Sequence, residues 1–133
     1  KQPIWADNFI KSISQSKIAL NLSQGHNAKY YSSDRFAQLI GNGLLTFIDE
    51  KTKFSDFFNK DEIITYKNIN DLSKKIEKYS MDDALRQKIA KKGRDKYFKF
   101  FNSTIVAEFI INKSLNINKK YFWEKRANTK VYI

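Results

Sequence analysis

The sequence has no cysteine, one histidine, and only four arginines among its 25 basic residues. Without cysteine there is no disulfide scaffold, no thiolate metal site and no cysteine nucleophile. A lone His26 cannot build a multi-histidine metal cluster, so no metal site and no cofactor are expected. No run of 18 or more apolar residues occurs, so no segment reads as a bilayer-spanning helix. The first residues, Lys1-Gln2-Pro3-Ile4-Trp5, do not have the apolar stretch of a secretory leader. The scarcity of arginine also bears on partners, because readers of phosphates and bases favour its bidentate fork over the point charge of lysine.

What is present suits one packed domain. The 133 residues are 41% hydrophobic and 15% aromatic, enough for a core and too apolar for general disorder. The formal net charge of +11 is localised. Segment 86–99 carries +6 and segment 113–130 carries +5, while the remainder balances at 12 basic and 12 acidic residues. With 21 lysines and abundant Asn and Ile, the composition matches an AT-rich coding bias. Those segments therefore read as solvated helix faces, with contact to a polyanion or an anionic membrane left as the alternative.

Hydrophobic periodicity orders the elements. A short helix is expected over Asp7–Ser16, capped by Asp7 with Phe9, Ile10 and Ile13 inward, followed by a buried strand over Lys17–Leu22. A polar aromatic loop, Gln24–Ser33, leads to a helix capped by Ser33 or Asp34 and running to Gly41, with Phe36, Ala37, Leu39 and Ile40 inward. Gly41-Asn42-Gly43 ends that helix, glycine supplying positive φ, and Leu44–Ile48 is the next strand. One helical turn over Thr52–Phe58, a third strand over Glu62–Tyr66 and a helix from Asn70 or Asp71 to Tyr79 follow. A long amphipathic helix opens at Ser80–Asp83, with Leu85, Ile89 and Tyr97 on one side. Gly93 within it signals a bend or a close contact. Asn102-Ser103 starts a last helix, and a tail anchored by Tyr121, Phe122 and Trp123 closes the chain. The alternation predicts an α/β fold, a partial Rossmann-like domain with a short parallel sheet flanked by helices. Three strands are few for such a sheet and the chain starts without an initiator Met, so it is expected to be part of a larger protein.

The stretch from Lys17 to Asp49 carries the functional signal. Strand, polar loop, capped helix and second strand form a unit whose ligands bind outside the carboxyl ends of the strands. Ser32, Ser33 and Asp34 surround a helix N-terminus, whose amides and dipole favour phosphate. Arg35 can clamp that phosphate with two donors, Gln38 can reach ribose hydroxyls, and Asn21 and Ser23 stand at the mouth of the preceding strand. Tyr31, or its neighbour Tyr30, can stack on a nucleobase, and Lys29 can add positive charge.

These residues carry a resemblance. SKIALNLS, YYSSDRFAQLIGNGLLTFID and INDLSKKIEKYSMDDALRQKIAKKGRDKYFKFFN, over about residues 3–115, resemble the C-terminal part of GT-B glycosyltransferases with a CgeB-like, glycosyltransferase group 1-like domain. In that family the helix reads R-x-F-E-x-x-A-x-G. Arg35 falls on its Arg, Gly43 on its Gly, Ala37 at its Phe, and Gln38 where a ribose-contacting Glu is usual. An amide there keeps the hydrogen bonding and loses the charge. The resemblance implies a donor-binding segment for a nucleotide sugar, with residues 1–115 the C-terminal portion of a Rossmann-like domain and 116–133 a basic aromatic tail. It implies a bacterial surface-glycan transferase, cytoplasmic or peripheral to the inner membrane. The acceptor site and any catalytic base would belong to an N-terminal GT-B half, so the segment by itself is expected to be inactive and no catalytic residue is assigned.

Each residue also has a plainer reading. Ser33 and Asp34 can be an ordinary N-cap, Arg35 can pair with Asp34 or Asp49, and Gln38 can sit idle on an exposed face. His26 reads equally as a loop residue. Asp49-Glu50 suggests acid–base work or Mg²⁺ but fits a solvated strand end better. Of Tyr30 and Tyr31, one can be core and the other surface. The Asn-x-Ser/Thr triplets at Asn21, Asn102 and Asn112 are expected by chance in an Asn-rich chain. The competing function is a basic nucleic-acid-binding or peripheral membrane-binding module using 86–99 and 113–130, with nucleic acid the weaker case because no motif accompanies the charge.

Overall fold

The computed structural model describes residues 4–22, 29–31 and 33–125. Ser23, His26 and Ser32 lie outside the described residues. Three parallel strands, β1 (Ile18–Asn21), β2 (Leu45–Asp49) and β3 (Ile64–Tyr66), form one sheet in sequence order. Among the described residues, five helices accompany them: α1 (Ala6–Ser14), α2 (Asp34–Gly41), α3 (Ile69–Met81), α4 (Asp83–Phe100) and α5 (Ser103–Ser114). This is the expected α/β architecture of a partial Rossmann-like domain.

Strand β2 is central and apolar on both sides, as a parallel strand must be when helices cover both faces. Leu45 and Phe47 point to one face, where they meet Leu72 of α3 and Ile89 and Ala90 of α4. Ile48 points to the other, against Phe36 and Ile40 of α2 and a run of phenylalanines, Phe54, Phe57 and Phe58. Helix α1 covers the β1 side through Ile13, which packs with Ala19, Leu39 and Leu44.

Several boundaries differ from the periodicity for identifiable reasons. Helix α1 starts after Trp5 with no side-chain cap, so Asp7 lies in its first turn, and Ile10 is 65% exposed. Leu22 is outside β1 because pairing with β2 ends at Asn21↔Ile48. In place of one turn over Thr52–Phe58 there are two 3-10 turns, Glu50–Thr52 and Phe54–Asp56, separated by Lys53 at φ 58°. Helix α3 starts earlier than expected because Asn68 is its cap: the Asn68 side chain accepts from the Asp71 N–H at 3.0 Å, and the Asp71 carboxylate accepts from the Lys67 N–H at 3.0 Å. It also runs on through Ser80 and Met81, and Asp82 caps α4 by accepting from the Leu85 N–H at 2.9 Å.

Helix α4 fixes the amino end of the sheet. Arg86, buried on its first turns, donates to the carbonyl of Lys17 just before β1 at 3.2 Å. Arg94 donates to the carbonyl of Gly41 before β2 at 3.0 Å. Gly93 presses on Glu62 before β3, so closely that a Cβ at 93 would stand 2.1 Å from the Glu62 carbonyl oxygen. The expected close contact at Gly93 is therefore the actual reason for glycine there. Lys96 completes the strap with a 2.5 Å ion pair to Glu62, both side chains largely buried. Lys91 and Lys92 pair with Asp95 and Asp61. Most of the +6 segment thus works within the fold.

The segment after α5 returns to the body. Tyr121 is buried, its hydroxyl accepts from Asn112 at 2.6 Å, and Trp123 stacks on it. Lys113 pairs with Glu124 at 2.7 Å and Lys119 with Glu108, so part of the +5 segment is also neutralised locally.

Candidate functional site

The carboxyl ends of the strands have a different chemistry. Strand β1 ends at Asn21, a buried polar side chain at 3% exposure. The chain returns at Ser33, the N-cap of α2, whose hydroxyl donates to Asn21 Oδ1 at 3.2 Å instead of capping its own helix. That bond fixes the N-terminus of α2 over the end of β1. The Asp34 carboxylate takes one of the first-turn amides, accepting from the Arg35 N–H at 3.0 Å. Asp34 thus places a negative charge at the helix end whose dipole favours it.

Arg35 is the next residue. It is half-buried on the first turn of α2 and forms no ion pair among the described residues, with neither Asp34 nor Asp49 as partner. Gln38 lies one turn on and is exposed. Asp49 is engaged elsewhere: its carboxylate accepts from the Lys51 N–H at 2.8 Å and its carbonyl from the Thr52 hydroxyl at 2.6 Å. It caps a turn at a strand end, and no group of three potential metal-ligating residues occurs among the described residues. Burial, reinforced by the Asp49 charge, raises the pKa of Tyr66 at the end of β3.

The tyrosines divide as the plainer reading allowed. Tyr31 is exposed. Tyr30 belongs to the fold: its ring packs on Phe57 at 4.7 Å, its hydroxyl donates to Asp56 at 2.7 Å, and its N–H donates to the Thr52 carbonyl at 2.8 Å. These contacts hold it at φ 63°, a left-handed conformation that costs an aromatic residue roughly 1–3 kcal/mol. They tie the approach to α2 onto the β2–β3 connection. Lys29 lies with its ammonium 4.6 Å from the Tyr30 ring centre. A hydrogen bond to Tyr30, reinforced by the charge of Asp56, keeps its pKa above the ordinary lysine value. The Tyr30 anchor could not be found from the sequence, since its partners Thr52 and Asp56 come from a connection with no periodic signal.

The structure therefore brings Asn21, Ser33, Asp34 and Arg35 together at one helix end, places Gln38 one turn away, and leaves Tyr31 on the surface beside them. Residues 1–112 match the glycosyl transferase-like family. The chain belongs to that family. No curated protein and no solved structure matches it. Membership of that family supports a transferase with a sugar donor as substrate, and the parallel sheet, with a helix N-terminus over the end of β1, is the arrangement in which such sheets bind ligands.

Proposed function

We propose that this domain binds the nucleotide of a sugar donor at the carboxyl end of its sheet. The observation that carries the reading is Arg35, half-buried and without an ion pair among the described residues, on the helix end that Ser33 and Asn21 hold in place. During transfer the bond between the sugar and the nucleoside diphosphate breaks, and negative charge grows on the leaving phosphate. Fixed positive groups at that point lower the barrier because they need no reorganisation. Arg35 and the α2 amides supply them. Gln38 hydrogen-bonds the ribose, Tyr31 and the adjoining Ser32 and Ser23 complete the donor contacts, and Asn21 orients Ser33.

The rest of the reading follows the resemblance: residues 1–115 are the C-terminal portion of a GT-B, CgeB-like enzyme, 116–133 are its basic aromatic tail, and an N-terminal half supplies the acceptor site. Bacterial surface-glycan synthesis, in the cytoplasm or at the inner membrane surface, fits such an enzyme. No helix among the described residues is long and apolar enough to cross a membrane. Nucleic-acid binding is disfavoured by the pairing of Arg86, Lys91, Lys92 and Lys96 within the fold.

Titration of the full chain with UDP and GDP tests the proposal. One of the two binds, and Arg35→Ala weakens that binding about tenfold or more, the value of a charge-assisted contact. Equal affinity in the variant removes Arg35 from the site.

A further inference from the structure

An aromatic groove of about 440 Å³ opens on the α2 side of the sheet, between the two 3-10 turns and helix α5. Tyr30, Phe57, Tyr97, Phe101, Val106 and Trp123 are among its walls, and among the described residues no carboxylate lines it. Its volume lies within the range of small-molecule sites. Helix α5, which forms one wall, is rich in apolar residues yet has none fully buried, so that wall is only partly covered by the protein itself. The rings are largely engaged with one another: Phe101 stacks on Phe58, on Tyr97 and on Trp123. A planar ligand thus finds the Phe101 faces occupied, while an aliphatic chain needs only apolar surface without directional demand.

The rim supplies charge. The hydrogen bond from the Tyr30 N–H to the Thr52 carbonyl sets residues 29–30 beside residues 52–53. Lys29 and Lys53 are therefore close along the backbone, each next to a residue of the groove wall, Tyr30 and Phe54, both exposed and neither in an ion pair among the described residues. The nearby Asp56 carboxylate is held by the Tyr30 hydroxyl.

We propose that this groove binds a single-chain amphiphile, with its aliphatic chain along the aromatic wall and a phosphate head between Lys29 and Lys53. This site is distinct from Arg35 and does not depend on the donor reading. The test uses the full chain carrying Trp5→Phe, which leaves Trp123 of the groove as its one tryptophan, titrated with dodecyl phosphate below its micelle concentration. Saturable change in Trp123 fluorescence is expected, weaker with dodecanol and absent with inorganic phosphate. Replacing both exposed lysines, Lys29→Ala with Lys53→Ala, weakens dodecyl phosphate by about fivefold and leaves dodecanol unchanged. Val106→Phe, which narrows the groove, weakens both. No saturable change overturns the proposal, as does equal affinity of the lysine variant for dodecyl phosphate. A response that appears only with anionic vesicles, or one that tracks protein concentration in place of ligand, overturns it too, assigning the face to a membrane surface or to a second copy of the chain.

Discussion

The two ends of the sheet differ in what their charged groups do. At the amino end, Arg86, Arg94 and Lys96 of α4 bond Lys17, Gly41 and Glu62 in the segments that lead into the three strands, and Gly93 lets the helix touch the Glu62 backbone. At the carboxyl end, Arg35 stands on a helix N-terminus with no ion pair among the described residues. The end with more positive charge has used it to hold the fold, whereas the charge-balanced end has kept a cation available. Formal charge along a sequence therefore says little about partners until each cation's bond is known.

Substitutions can break this contrast. The largest effect is expected at the amino end: Gly93→Ala places a Cβ against backbone that cannot swing aside, and destabilises by about 3 kcal/mol or more in chemical denaturation. Lys96→Met leaves the Glu62 carboxylate largely buried without its partner and costs about 3 kcal/mol. Neither variant, where folded, changes nucleoside-diphosphate affinity. Arg35→Ala does the reverse, weakening diphosphate about tenfold with the thermal midpoint nearly unchanged.

The smallest effect concerns pH. Hydrogen bonds from Lys17 and Arg86 hold the Asp83 carboxyl below its ordinary value of 3.8. The unfolded chain then binds the proton more readily than the folded one, so this contribution is full above about pH 4 and fades as pH falls through the folded value. Asp83→Asn should lower stability slightly near neutrality, where this contribution is full, and flatten the fall below pH 4 so that the two profiles converge in acid. An equal slope in the variant assigns the acid sensitivity to other carboxylates.

The sequence made the sheet largely legible, because the strands are short apolar runs, and Ser33 and Asn102 stand at helix starts where expected, whereas Asp7 and Asn70 or Asp71 do not cap theirs. The Gly41-Asn42-Gly43 stop also stood out, with Gly43 at φ 77°. Two kinds of feature were not readable. The strap made by α4 joins residues up to 69 positions apart, as Arg86 does with Lys17, and no local pattern encodes such a bond. The Tyr30 anchor depends on a left-handed φ and on a connection of 3-10 turns, neither of which leaves a period. At the candidate site, the helix end and Arg35 were legible from composition and spacing. That Ser33 bonds Asn21 and not its own helix, and that Arg35 lacks the carboxylate partner a plainer reading gave it, needed the fold.

The central claim is that cation availability, and not cation density, marks the ligand end. Arg35 and Arg94 provide a matched pair, one arginine at each end of the same sheet, and each can be replaced with the same loss of charge. Calorimetric titration of Arg35→Ala and Arg94→Ala with whichever of UDP and GDP the unmodified chain binds is the direct measurement. The account predicts about a tenfold loss of affinity for Arg35→Ala and unchanged affinity for Arg94→Ala. Equal losses in the two variants, or a larger loss for Arg94→Ala, would contradict it.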